Sequence, residues 1–545
     1  MFKKNDENKA LILISLIALT ITVLIIYQNS VHAILGHSYR DVFFYLIEAL
    51  RFSGVNITGY AYVDYLPPVI PFLTSFLFRA GYVSTTSIFI VSGIFYFFGI
   101  LAIYYILKLR FKPLYSFFGA FIYATLYINM KWVGNGTLDI AFISLVLWAL
   151  YFFIKAMEDN QKYFYLAFPL AVISFFTKYP AGLIFPLMIL YFMGKTNFFK
   201  NFKKYYKNII GGVLAGIITL IPFVSYFIIY NIPFGFLNQA QDISSSTSLT
   251  RTHGGHLVGN DLFFYIKGMI YYMSYPNYLI GIIILAISII GFILVVKRFK
   301  NNLKNSFKED MEVKIFKWHF PQKALYCILA ASIIFILFSF FTASLFSFVY
   351  SEIILFLGLY LFCYSFSKIV NNYNLSLTVT MTGLFLSYLI FFSAHLVKAD
   401  RYFTSMAPGF IFIMTLSSEY LNEKINYKNL ILIFMMILMI FTAVNCITSI
   451  QDNSLAIDEK NASAWLKNSD VVIASNRAPS YTWYLQKEVL SVNDLSNSTL
   501  VNKNLIDANV SYYLTDENLN LTNYKIVREI GSVNLYLRVY PPIKN

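Results

Sequence analysis

Charge is what this sequence has least of. Of its 545 residues only 13% are charged, while 58% carry apolar side chains and 19% are aromatic. A soluble chain could not cover its surface with so few polar groups, so a soluble globular fold is excluded and lipid is the solvent for most of the chain. Cysteine is scarce too. The three present, Cys327, Cys363 and Cys446, all fall in apolar stretches. That excludes a disulfide framework and any zinc-ligand spacing. Also missing are a Gly-x-x-x-x-Gly-Lys-Ser/Thr loop, a His-Glu-x-x-His pair and an Asp-x-Asp motif, which leaves cytosolic nucleotide chemistry without a site. Asp310-Met311-Glu312 comes nearest and reads as a solvated charge run in a Lys-rich loop. The sequence has no internal repeat.

What is present is a series of long apolar runs between residues 10 and 450. A hydrocarbon core of about 30 Å needs about 20 apolar residues, and the backbone there must be helical. Spans are expected at 10–28, 84–107, 113–130, 137–157, 162–178, 180–194, 208–230, 277–297, 324–346, 350–367, 377–396, 403–420 and 429–450. The first, Ala10 to Tyr27, has the basic flank of a signal peptide but no small-residue cleavage site, and reads as a retained anchor. The net charge of +15 is not a nucleic-acid footprint, because its distribution follows the spans. The N-terminus and even-numbered loops hold 24 of the 42 Lys+Arg, the odd-numbered loops 9 and the tail 9. The basic side is cytoplasmic, so the N-terminus lies inside and the tail outside, at a plasma membrane crossed many times. The basic clusters Lys195–Lys207 and Lys297–Lys323 face anionic lipid.

The fold expected is therefore mainly α, a polytopic transmembrane bundle of about thirteen helices. Residues 1–450 form the membrane domain, with a long first outer loop at 29–83. Residues 451–545 alternate short apolar runs with helical stretches and read as a small extracytoplasmic α/β domain. Sequons at Asn56, Asn461, Asn497, Asn509 and Asn520 lie on this outer side.

The first outer loop opens on an amphipathic helix, 39–53, with Asp41, Tyr45 and Glu48 on one face and Phe43, Ile47 and Leu50 on another. Such a helix lies on the membrane surface. Pro67 and Pro68 can open a second interfacial helix, and Pro71 leaves a carbonyl unpaired in its first turn. Asp41, Asp64, Asp139, Lys178, Lys398, Asp400 and Arg401 each lie beside a predicted outer helix end. Convergence of those ends would put carboxylates and cations in one cleft at the lipid-water boundary, suited to an anionic lipid-linked substrate.

The motifs around these residues resemble the GT-C membrane glycosyltransferases, in the group holding the family 39 protein mannosyltransferases, the aminoarabinose transferases of lipid A and related polyprenyl-phosphate-sugar enzymes. The resemblance runs in order from residue 10 to about 420. It rests on Tyr39-Arg40-Asp41-Val42-Phe43-Phe44-Tyr45, Tyr65-Leu66-Pro67-Pro68, Gly136-Thr137-Leu138-Asp139, Thr177-Lys178-Tyr179, and Arg401-Tyr402-Phe403 with Pro408 following. Where the mannosyltransferases often have Asp-Glu, this chain has Asp41-Val42. The resemblance implies a catalytic pair, Asp41 as base and Asp139 as its helper, and substrate-binding roles for Arg40, Tyr45, Pro67, Pro68, Lys178, Arg401 and Tyr402. It implies transfer of a sugar from a dolichyl or undecaprenyl phosphate to a protein, glycan or lipid acceptor, with inversion. The partners are then that lipid-linked donor, the acceptor and membrane lipid. No cofactor is implied, and a divalent metal requirement is open.

Blander readings of the same residues stand beside this. Ser38-x-x-Asp41 fits a capping box, Asp139 suits a helix N-terminus, and Lys178 and Arg401 can snorkel to the interface. Glu48 and Asp64 read as solvated, and the loop with His253 and His256 as a flexible acceptor loop. The rival function is a secondary transporter or flippase. Transporters place charge near the midplane on broken helices related by repeats, whereas here charge gathers at helix ends. The expected topology is open to a direct test. Protease added outside intact cells should trim the tail beyond Gln451 and spare the loop at 298–323. Tail protection with cleavage near Lys304 would reverse the orientation.

Overall fold

In the computed structural model every expected span coincides with helix, and the interruptions occur where the sequence forces them. The structure describes all residues except 1–3, 33–40, 64–65, 196–197, 231–256, 259–260, 307–311, 316–317, 344–347, 371–374, 396, 426–428, 493–496 and 540–545. Arg40, Asp64, His253, His256, Asp310 and Met311 lie outside the described residues; Glu312 opens a short hairpin, Glu312–Ile315 with Trp318–Pro321. Among the described residues nine helices are long and apolar enough to cross a membrane. The segment expected at 113–130 breaks into Pro113–Thr125 and Tyr127–Val133, because Leu126 is extended. The segments at 162–178 and 180–194 become Phe164–Thr177 and Ile184–Lys195, joined by a tight turn that starts on extended Lys178 and is held by Pro180. Proline lacks the N–H a helix interior needs but fits a first turn.

The chain divides into two compact units. The first comprises Met1–Thr22, Ile94–Trp132 and Leu138–Thr448; the second comprises Val23–Gly93, Val133–Thr137 and Ser449–Asn545. Within the first, Leu138–Glu158 and Ser376–Ala394 are central, with 78% and 72% of their apolar windows buried. Phe202–Ile229 and Lys323–Thr342, at 17% and 22%, face outward and offer their side chains to lipid. The helix Phe403–Ile425 is also central but is dotted with hydroxyls. Thr404, Thr415 and Ser417 donate to carbonyls three or four residues earlier, at 2.7, 2.8 and 2.8 Å, and so satisfy their hydroxyls within the helix. Gly409 lets this helix approach Ser376–Ala394 closely: a methyl there would sit 2.6 Å from the Met381 carbonyl oxygen.

In the second unit the C-terminal residues form a five-stranded sheet. Its spatial order is Leu490–Ser491, Ile473–Ser475, Tyr512–Thr515, Val533–Arg538 and Tyr524–Ile530. The first three are parallel, and the last two form an antiparallel hairpin. Alternation sends Leu514 and Leu535 to one face and Tyr513 and Tyr536 to the other. One face is covered by helices Ser454–Leu466 and Ala478–Leu485, the other by Ser498–Asp507.

The same unit contains the first-loop helices Asp41–Ser53 and Val69–Arg79. The first of these corrects one expectation. Glu48, read as solvated, is buried and ion-paired to Arg51, whose guanidinium lies 4.6 Å from the Tyr62 ring centre. An amphipathic pattern locates a polar face without saying what covers it, and here protein does. Val42, in the first turn, packs on Gly136. That residue takes a φ of 64°, where a side chain is strained, and a methyl on it would meet Val42 and Ile88 at 2.9 Å. Gly136→Ala should therefore destabilise the folded chain by about 1–3 kcal/mol. Thermal unfolding of purified protein in detergent would show this as a lowered midpoint; an unchanged midpoint would contradict the packing.

Candidate active site

Asp139 is the second residue of helix Leu138–Glu158 and is fully buried. Its place in the first turn is electrostatically favourable, since the helix N-terminus carries partial positive charge. That cannot by itself offset the removal of a carboxylate from water, which costs several kcal/mol per ion. Two cations supply the rest. Lys178 Nζ donates to Asp139 Oδ1, and Arg401 Nε lies 3.8 Å from Oδ2. Each is delivered by a break between helices. Lys178 is the extended residue that ends Phe164–Thr177, and Arg401 sits in the short turn Asp400–Tyr402 before Phe403–Ile425. One carboxylate between two cations leaves an excess positive charge.

Aromatic rings wall this cluster. Lys178 Nζ lies 4.6 Å from the Tyr402 ring centre and 5.6 Å from that of Phe142, one helical turn after Asp139. Tyr402 stacks on Phe392 with centroids 4.3 Å apart and planes at 15°. The Tyr402 hydroxyl lies 3.5 Å from Arg401 Nη2. His395 Nδ1 accepts from the Val397 N–H at 3.1 Å.

The remaining residues expected at outer helix ends have different partners. Lys398 is not part of the cluster. Its ammonium donates to the carbonyls of Phe392 and His395 at 3.2 and 2.6 Å and so closes the C-terminus of helix Ser376–Ala394. Burial brings it down to about 8. Asp400 pairs with Lys131 at 2.7 Å, and Tyr271 donates to the same carboxylate at 3.5 Å while accepting from Lys131 at 3.0 Å. In the second unit, Asp41 opens its helix half-buried, Tyr45 is 4% exposed, and Pro67 and Pro68 are buried where Val69–Arg79 begins. Among the described residues no group of three or more His, Cys, Asp or Glu could hold a metal ion.

Sequence reasoning missed Lys131 and Tyr271, and it missed Glu352. Glu352 lies within helix Phe348–Ile369, is 6% exposed, and among the described residues neither carboxyl oxygen has a hydrogen-bond partner. The available signal was a single charged residue inside an apolar run, which in lipid is costly and kept for a reason.

Residues 66–226 match the family described as dolichyl-phosphate-mannose-protein mannosyltransferase. That segment contains Pro67, Pro68, Asp139 and Lys178 but neither Asp41 nor Arg401. No curated protein matches the chain. Among solved structures, ArnT from Cupriavidus metallidurans bound to undecaprenyl phosphate is 9% identical with a TM-score of 0.58, over 96% of this chain and 97% of that one. Its apo form gives 8% identity and 0.56 over the same shares. The Archaeoglobus fulgidus oligosaccharyltransferase, tethered by a disulfide to an acceptor peptide containing the NVT sequon, is 12% identical with a TM-score of 0.52, over 94% of this chain and 69% of that one. The chain has the fold of the GT-C membrane glycosyltransferases, and it resembles the protein mannosyltransferases and ArnT.

The buried Glu352 carboxyl yields a stability test. Glu352→Leu removes an unsatisfied polar group and should raise stability by about 1–3 kcal/mol, seen as a higher unfolding temperature. A lower temperature would mean the carboxyl has a stabilising role in the fold.

Proposed function

We propose that this chain is a membrane glycosyltransferase that moves a sugar from a polyprenyl phosphate to an acceptor hydroxyl on the outer face of the plasma membrane, with inversion. The acceptor is a protein, glycan or lipid. The observation that carries this reading is the cation pair Lys178 and Arg401 around a buried carboxylate, within a fold shared with a protein solved bound to undecaprenyl phosphate.

The chemistry asks little beyond positioning. A base takes the proton from the acceptor hydroxyl as its oxygen attacks the anomeric carbon, the bond from that carbon to the phosphate oxygen breaks, and a phosphate monoester leaves. That leaving group needs no proton, so one base suffices where a glycosidase uses two carboxyl groups. Asp41 is the base in this reading. Lys178 and Arg401 hold the phosphate and stabilise the charge it gains, Arg401 through its planar fork. Asp139 fixes both cations in place, an orienting role rather than a proton-transfer role. Arg40, Tyr45, Tyr402, Pro67 and Pro68 are assigned to substrate binding in this reading.

The experiment uses purified protein in lipid, with labelled sugar supplied on dolichyl phosphate, on undecaprenyl phosphate or on a nucleotide. Transfer should occur from a lipid phosphate. Arg401→Ala should lower kcat/KM by roughly 10- to 150-fold, the loss of one charge-assisted contact. Arg401→Lys should restore part of it, and Asp41→Asn should cut turnover by about 10²- to 10⁴-fold at ordinary yield. Transfer from the nucleotide sugar alone, indifferent to Arg401, would sink the reading. Flux of a labelled solute without transfer would favour the transporter.

A further inference from the structure

The first-loop helix Asp41–Ser53 is packed by the C-terminal residues of its own unit. Its Phe43 ring meets Tyr484 edge-on, with centroids 5.9 Å apart, and Phe43 is 1% exposed. Phe78, of the neighbouring helix Val69–Arg79, stacks on Trp483 at 5.6 Å and 27°. Both contacts come from one short helix, Ala478–Leu485. Further contacts join the same parts of the chain. The Asn453 N–H donates to the His32 carbonyl at 3.1 Å, and the His32 ring lies 2.6 Å from Asp452.

That short helix is itself unusually constrained. Arg477, immediately before it, pairs through Nε with Glu459, whose carboxyl is fully buried in helix Ser454–Leu466. The Arg477 N–H donates to Ser475 Oγ at 2.9 Å, and the Ser480 hydroxyl donates to the Arg477 carbonyl at 2.9 Å. Asn476 donates to Asp516 at 2.6 Å, just past the central strand, and Tyr481 is 1% exposed in the core beneath. A buried ion pair is a poor source of net stability, but it fixes geometry, because any slip strands a charge away from water. Here it fixes the end of the helix that presents Trp483 and Tyr484.

We propose that the C-terminal domain is a positioning device for the catalytic base, acting through Tyr484 and Trp483 on the helices that follow Asp41 and the Pro67-Pro68 turn. This rests on the reading of Asp41 as base. A base works only within about 3 Å of the proton it removes, and a misplacement of about 1 Å can cost about 100-fold. A helix of thirteen residues that starts on its functional side chain is placed by what packs against it, and the Phe43–Tyr484 contact is one of those constraints, two residues after Asp41.

The test uses the full-length chain in lipid with a labelled sugar on undecaprenyl phosphate. Tyr484→Ala should lower kcat by about 10- to 100-fold with donor KM unchanged within about twofold, and Tyr484→Phe should restore the rate because the contact is made by the ring. In an Asp41→Asn background, whose residual turnover is read from product accumulated over hours, Tyr484→Ala should have no further effect. Equal losses in both backgrounds, or an unchanged kcat in Tyr484→Ala, would overturn the proposal. Full activity of Asp41→Asn alone would instead remove the reading of Asp41. Should Tyr484→Ala fail to fold, Phe43→Leu tests the same contact from the other side, with the same outcomes expected.

Discussion

Burying a carboxylate is costly unless it is paired, and the membrane unit brings two cations to Asp139. Its partners come from two places far apart in sequence, and both are breaks between helices. Lys178 projects from the extended residue between Phe164–Thr177 and the following turn, and Arg401 from the turn before Phe403–Ile425. Losing either cation would leave a buried charge partly uncompensated, a loss of about 3–5 kcal/mol, whereas the intact group contributes little net stability. The arrangement is therefore better understood as a geometric constraint than as a stabilising one. Three chain segments are forced to meet at one point, and the meeting leaves net positive charge there.

The surroundings follow from that constraint. A lysine ammonium held off water is accommodated by ring faces, and Tyr402, Phe142 and Phe392 provide them. The nearby helix end at Ala394 would expose carbonyls to the same low-dielectric region, and Lys398 satisfies them. Asp400, adjacent in sequence to Arg401, would oppose the cation excess if it faced the same way; it is drawn to Lys131 and Tyr271 instead. Two neighbouring residues of opposite charge thus serve two separate pairs, and the positive character around Asp139 survives.

The membrane fold was legible because lipid admits few solutions: an apolar run of sufficient length must be helical, and Pro113 and Pro180 announce their helix starts. Asp139, Lys178 and Arg401 were legible as charges at helix ends, and their motifs sharpened that reading. The partnership of Lys131 with Asp400 was not, since the two are 269 residues apart and no local pattern links them. Glu48 was misread because periodicity in 39–53 reveals a polar face but not the Arg51 and Tyr62 that enclose it. The packing of the first loop with the C-terminal residues was equally invisible: His32 and Asp452 are 420 residues apart, and both are ordinary loop residues by sequence.

The central claim is that the Lys178 and Arg401 cations are a lipid-phosphate site. The most direct measurement is the shift in unfolding temperature of purified protein on adding undecaprenyl phosphate, compared with the neutral alcohol undecaprenol, for the native chain, Lys178→Met and Arg401→Ala. Ligand that binds only the folded state stabilises it by mass action. The expected result is a concentration-dependent rise for the native chain with the phosphate alone, reduced or lost in both variants. Equal rises with phosphate and alcohol, or a phosphate response untouched by either substitution, would contradict it.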